Sequence, residues 1–216
     1  KMKKILLPDR KKVEANRAKI SKFIIETPVL HLHGPTIEKA FGHGTELHLK
    51  LEPFQPTGSF KVRSVLTFLL SLDKTELEKG VVTMSAGNHA AAVAYGAKCL
   101  GVSAKVIMPK ETNPRKVALS TQYGADIIFV DDIRDAYAVI EKIERSEGRV
   151  FIPAWGDARL TLGTASLALE LIEQCPPLDA FIVAIGGGSV CAGAGPLLKS
   201  IWTDCKVLAA EPEGAP

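Results

Sequence analysis

The sequence lacks the features that would announce several common functions. Its four cysteines, Cys99, Cys175, Cys191 and Cys205, lie far apart, with no Cys-x-x-Cys pair and no neighbouring histidine at a spacing that suits zinc. Reduced thiols in a cytoplasmic protein fit that usage best. No apolar run approaches the roughly 20 residues of a membrane span, and the N-terminus has no apolar secretory core. The 27 basic and 24 acidic residues are scattered, giving a formal charge of +3 without a polybasic stripe. Nucleic acid and membrane are therefore not expected partners. The densest basic stretch, Lys1 to Lys12, reads as a solvated entry segment. There is no low-complexity linker and no internal repeat.

What is present is an alternation. Short runs rich in Val and Ile are separated by longer segments of helical period, the pattern of a parallel sheet covered by helices. The expected strands are Glu46 to Glu52, Val81 to Ser85, Ala104 to Pro109, Asp126 to Asp131, Val150 to Ala154, Ala180 to Ile185 and Lys206 to Glu211. Asn113-Pro114 supplies a helix start, because asparagine caps free amides and proline suits the first helical position, and Gly124 marks that helix's stop. With 46% apolar residues in 216, the chain can bury a substantial core. In open α/β sheets ligands bind beyond the carboxyl ends of the strands, which directs attention to the strand-to-helix turns.

Three such turns carry unusual chemistry. The first, Gln55-Pro56-Thr57-Gly58-Ser59-Phe60-Lys61-Val62-Arg63, is shaped by Pro56 and Gly58, with Ser59 expected to cap the following helix and Lys61 to fall in its first turn. The positive end of the helix dipole would lower the lysine pKa and favour a nucleophilic amine. The second, Ser85-Ala86-Gly87-Asn88-His89, opens an alanine-rich helix and points backbone amides at a carboxylate-sized space. Asn88 is a ligand donor or a plain cap, and His89 reads as a structural hydrogen-bonding residue. The third, Gly186-Gly187-Gly188-Ser189, precedes a helix of small residues from Val190, and its free amides suit a phosphate. It matches neither the Walker pattern nor the dinucleotide fingerprint.

In this order and spacing, together with Thr27-Pro28-Val29-Leu30, Leu49-Lys50-Leu51-Glu52 and Ala210-Glu211-Pro212-Glu213-Gly214-Ala215, the three turns resemble fold-type II pyridoxal 5'-phosphate enzymes of the threonine/serine dehydratase and serine racemase group. The resemblance implies an α/β fold of two open, twisted, mostly parallel sheets with flanking helices, like the tryptophan synthase β chain. A large cofactor domain would comprise residues 1–72 and 150–216, and a small α/β domain residues 73–149. Family chains run well beyond the position of Pro216, so the C-terminal part of the large domain is expected to be missing.

Residue by residue, the resemblance implies that Lys61 holds the cofactor aldehyde as a Schiff base, that Phe60 flanks the ring and that Asn88 bonds the ring hydroxyl. Gly186, Gly187, Gly188, Ser189 and the Val190 amide would cradle the phosphate. Ser85, Gly87, Asn88 and His89 would receive the carboxylate of a small amino-acid substrate. Glu211 and the Ala215 carbonyl resemble part of the family's divalent-cation site. The implied reaction is β-elimination from L-threonine or L-serine by a homo-oligomeric enzyme. Racemases of the group carry a serine where this chain has Ala86, which favours elimination, and cysteine synthases differ around the lysine. A silent cofactor-binding fragment is the reading from another class. Departures from the family pattern are Ser189 for a fourth glycine, Ser64 for glycine, the segment Ile152 to Asp157, and Gly163-Thr164-Ala165-Ser166, which is expected on the substrate side.

Overall fold

A computed structural model of the chain describes residues 9–214. The α/β alternation is present throughout. Helix α1 (Arg10–Ile20) leads to strand β1 (Val29–Leu32), a short α2 (Pro35–Phe41) and strand β2 (Leu47–Lys50). Helix α3 (Lys61–Leu69) and α4 (Lys74–Lys79) precede the regular part. There β3 (Val81–Met84), α5 (Asn88–Leu100), β4 (Ala104–Pro109), α6 (Pro114–Gln122), β5 (Asp126–Val130), α7 (Ala136–Glu147) and β6 (Val150–Phe151) follow in strict alternation. Helix α8 (Ala158–Gln174), β7 (Ala180–Ala184), α9 (Ser189–Ile201) and β8 (Lys206–Ala210) complete the described chain.

The strands form a four-stranded sheet in the order β5-β4-β3-β6, all parallel, a parallel pair β7-β8, and an antiparallel ribbon β1-β2. Parallel neighbours need helical crossovers, which α5, α6 and α7 supply, and burial on both faces explains the Val- and Ile-rich strands. The ribbon was not foreseen. Val29–Leu32 is a run of four residues with one histidine among three apolar side chains and carries no strong strand signal by itself; it is extended because Val29 to Leu32 pair with Lys50 to Leu47. Six of the seven expected strands end early, four of them by a single residue and two by more. Pairing in the ribbon stops at Lys50, where the chain enters a short 3₁₀ turn containing Pro53, and β6 ends at Phe151, two residues before Pro153, which has no amide to donate.

Asn113 caps α6 as expected, its side chain accepting from the Arg115 amide at 2.9 Å, and Gly124 follows the helix with φ of 87°. Ser59 does not cap α3. Phe60, at φ −58° and ψ −17°, is already helical, and the buried Ser59 hydroxyl finds no partner among the described residues.

One core unites α3, α5 and strands β3 and β4 through Val65, Phe68, Leu69, Val81, Val93 and Val106. A second packs α8, α9 and Trp202, and a third lies between the parallel sheet and α7. The crossings are close. A Cβ added to Gly163 of α8 would lie 2.5 Å from the Arg63 carbonyl oxygen, and one on Gly193 of α9 would lie 2.3 Å from Thr164 Oγ1. Glycine at these two positions lets α3, α8 and α9 stack backbone to backbone. The groove between the β1-β2 ribbon and the β7-β8 pair is lined by Leu47, Leu49, Phe60, Leu171, Phe181 and Val190 and has a volume of about 940 Å³. Among the described residues, no helix is long and apolar enough to cross a membrane.

Candidate active site

Lys61 begins α3 and is partly buried. Its Nζ donates to the carbonyl of Ala154 at 3.0 Å and lies 5.4 Å from the centre of the Phe60 ring. Burial pulls its pKa below the ordinary lysine value, in the direction expected from sequence. The neutral, nucleophilic form of the amine is correspondingly easier to reach.

The turn beneath α3 is held by buried charges that sequence reasoning missed. Arg63 donates Nε to Glu52 Oε2 at 2.9 Å and Nη2 to Glu52 Oε1 at 2.8 Å. Glu52 also accepts from Thr27 Oγ1 at 2.7 Å. Lys50 reaches Glu170 Oε2 at 2.6 Å and the Thr27 carbonyl at 2.6 Å. Two cations therefore face two carboxylates, with their lone pairs and protons shared among fixed partners. The pairing holds Glu52 below the usual carboxylate range, with the Arg63 hydrogen bonds overcoming the opposing effect of burial. The signal was visible in principle: Arg63 and Glu170 are single charges inside otherwise apolar helical runs.

At the second turn Gly87 precedes α5 and Asn88 is its first residue, exposed and without a side-chain hydrogen bond among the described residues. Asn88 is therefore not spent as a cap. The Ser85 hydroxyl accepts from the Gly87 amide at 3.1 Å and the Ser85 amide pairs with the Ile107 carbonyl at 3.1 Å, while the amides of Ala86, Asn88 and His89 have no acceptor among the described residues. The His89 ring is buried, with Nε2 3.2 Å from the Ile152 carbonyl oxygen and Nδ1 unpartnered among the described residues. Burial pushes its pKa down to about 4, the bond to Ile152 opposes this, and the nearby Lys61 charge adds to it. The ring is thus neutral at pH 7 and turned to the backbone, and only its amide is available to a ligand.

At the third turn Gly188 adopts a left-handed conformation, φ 74°, that places Ser189 at the start of α9. Among the described residues no acceptor engages the amides of Gly186, Gly187, Gly188, Ser189 or Val190. Five free donors at a helix N-terminus suit a phosphate, and a Cβ built on Gly186 or Gly188 meets nothing within 4 Å. Ser189 and Val190 themselves are buried, and the Thr164 hydroxyl donates to the Ser189 carbonyl at 2.6 Å. Thr164 thus braces the turn from behind. The segment Gly163 to Ser166 is buried within α8, where Gly163 meets the α3 backbone and Thr164 meets Ser189.

The three turns meet on one segment. Ala154 accepts from Lys61, Ile152 accepts at His89, and the side chain of Trp155 covers Gly187, where an added Cβ would lie 2.6 Å from Trp155 Cβ. Glu211 lies just beyond β8 and is exposed, whereas Ala215 falls outside the described residues.

A parallel α/β framework with ligand-ready turns at its strand ends is the scaffold of an open-sheet enzyme. The chain belongs to the pyridoxal-phosphate dependent enzyme family, whose model matches residues 20–216. It is 41% identical over 209 residues to phenylserine dehydratase of Ralstonia pickettii, covering 97% of this chain and 63% of that protein. It is 37% identical over 210 residues to serine racemase of Schizosaccharomyces pombe, covering 97% of this chain and 64% of that one. The solved structure of maize serine racemase superposes with a TM-score of 0.90 at 34% identity, over 97% of this chain and 63% of that one. The chain therefore spans just under two thirds of the length of these relatives.

Proposed function

We propose that this chain carries the lysine, anion cradle and substrate turn of a pyridoxal 5'-phosphate-dependent dehydratase, which converts L-threonine or L-serine to a 2-oxo acid and ammonia. The observation that carries the reading is the convergence of the lysine turn, the asparagine turn and the glycine turn on Ile152 to Trp155. Lys61 would hold the cofactor aldehyde, Phe60 would lie along its ring and Asn88 would bond its ring hydroxyl. The amides of Gly186, Gly187, Gly188, Ser189 and Val190 would receive its phosphate. The cleft would lie between residues 73–149 and the rest of the chain.

Bound pyridoxal phosphate supplies an electron sink for chemistry at the α carbon of an amino acid. The chain's own contribution follows from its geometry. The Ser85 hydroxyl and the amides of Asn88 and His89 would fix the substrate carboxylate, and the Gly87 amide would join them by turning from its bond to Ser85 Oγ. Lys61 Nζ, its pKa lowered by burial, would take the α proton, and an equivalent proton returned from the lysine side would leave with the β-hydroxyl as water. Water then re-enters at the α carbon and ammonia departs, leaving the 2-oxo acid. Ala86 leaves the second turn without the hydroxyl side chain that racemases of the group carry there.

The experiment is spectroscopic and then chemical. Purified chain reconstituted with pyridoxal phosphate should show a visible band that Lys61→Ala abolishes; a band that survives the substitution would overturn the role of Lys61. L-threonine, L-serine and 3-phenylserine should then be offered separately, with 2-oxo acid and ammonia measured. A D-amino acid formed without 2-oxo acid would instead support racemisation, the activity in the name of the Schizosaccharomyces pombe relative. We further infer a cytoplasmic homo-oligomer, which sedimentation of the purified protein and fractionation of cells would test.

A further inference from the structure

The β1-β2 ribbon brings together side chains that none of the three turns uses. His31 and His48 are directly opposed in its register, and their rings stack at 4.5 Å with an interplanar angle of 4°. Glu46, the residue before β2, turns its carboxylate to the same face. Its Oε2 is 3.0 Å from His31 Nε2 and 3.9 Å from His48 Nε2, and the three potential ligand atoms all lie within 4.8 Å of one another. A third histidine, His33, shares this face, its ring 5.0 Å from that of His31.

Ligand bonds of about 2.0–2.2 Å in a tetrahedral site set ligand atoms roughly 3.4 Å apart. The two carboxylate-to-imidazole separations, 3.0 and 3.9 Å, bracket that value, and a turn of one stacked ring about its Cβ–Cγ bond brings both nitrogens to face one ion. His31 and His48 are held opposite each other by the strand pairing, Glu46 sits at the mouth of β2, and Lys50 ties the other end of β2 to the Thr27 carbonyl and Gln174. Two imidazoles and one carboxylate suit zinc and its neighbours, whereas magnesium and calcium take oxygen ligands. His48 is shielded while His31 and Glu46 are open, which leaves a solvent path for the ion and a free coordination position.

We propose that His31, Glu46 and His48 form a binding site for a divalent transition-metal ion of the zinc class, separate from the residues that would hold the cofactor. The ion replaces the His31 to Glu46 hydrogen bond with two metal-ligand bonds and joins His48 to the pair. It thereby cross-links β1 to β2.

The test is a titration of the full chain, freed of metal by chelation, with zinc chloride in a calorimeter. One ion should bind per chain, and His31→Ala, Glu46→Gln and His48→Ala should each weaken binding at least about tenfold. No binding by the wild-type chain, or undiminished affinity in any of the three, overturns the site. Glu46→Gln keeps the shape of an exposed side chain, so its result does not depend on the fold tolerating a deletion. Cobalt(II) added to the wild-type chain gives an independent reading: visible bands of a tetrahedral nitrogen and oxygen site support the assignment. An intense near-ultraviolet thiolate band, placing the ion on cysteine, defeats it.

Discussion

Arg63 grips Glu170 at two points, Nη1 to Oε1 at 2.6 Å and Nη2 to Oε2 at 2.8 Å, with both side chains out of solvent. The contact joins α3, two residues beyond Lys61, to the middle of α8. Paired in this way the charges are tolerated; unpaired they are not. Breaking a buried pair by removing one partner costs roughly 3–5 kcal/mol. Glu170→Leu should therefore lower unfolding stability by about that amount in urea denaturation, and it should cost far more than Glu173→Leu, which removes an exposed carboxylate paired with Arg17.

His89 gives the chain a defined acid weakness. Its folded pKa of about 4 lies below the ordinary 6.5, so as pH falls the unfolded chain takes the proton first. The stability this group contributes is complete above about pH 6.5 and is lost progressively towards pH 4, by roughly 3 kcal/mol in total. Midpoints of urea unfolding between pH 7 and 4.5 should fall steeply for the wild type and more gently for His89→Gln. Parallel slopes for the two proteins would rule out the buried imidazole as the source of the acid sensitivity.

Glycines of two kinds should separate under the same substitution. Gly163→Ala places a Cβ 2.5 Å from the Arg63 carbonyl oxygen and 2.6 Å from Ser64 Cα, so α3 and α8 must move apart. A loss of about 1–3 kcal/mol or more is expected. Gly186→Ala meets nothing within 4 Å, and its stability should stay within about 0.5 kcal/mol of wild type. If the space before that turn receives the phosphate, Gly186→Ala should nevertheless weaken cofactor binding, read by fluorescence titration.

Thr164 offers a finer probe of the same turn. Thr164→Val keeps the shape but removes the 2.6 Å bond to the Ser189 carbonyl, at a cost of about 1–2 kcal/mol. The brace behind α9 would be gone while every proposed phosphate contact remained in the sequence. A faster cofactor off-rate without change at Lys61 is the expected result, measured by stopped-flow dilution.

The alternation of strands and helices was legible because each element satisfies its own local rule. Val81–Met84 is a short β-branched run, Asn113-Pro114 is a cap with its proline, and Gly124 is a stop. The three turns were legible for the same reason, being bounded by those elements. What sequence could not supply was pairing over distance. Val29–Leu32 becomes a strand only beside Leu47–Lys50, and Arg63 becomes a buried anchor only when Glu52 and Glu170 arrive from 11 residues upstream and 107 downstream. Ser59 misled because its local pattern fits a cap, while the helical backbone of Phe60 makes that cap unnecessary. Gly163 stands out in the sequence only as part of a departure from the family pattern, and its close approach to the α3 backbone carries no local signal.

The contact from Lys61 to Ala154 spans 93 residues of chain, and that from His89 to Ile152 spans 63. A nascent chain that has not yet reached Ile152 to Trp155 makes neither contact, because both acceptors lie in that segment and each closes a long loop. If Lys61 holds the cofactor as proposed, an order of events in biogenesis follows: the chain must reach and place Ile152 to Trp155 before capture, and ligand arriving earlier finds an ordinary solvated lysine and leaves again.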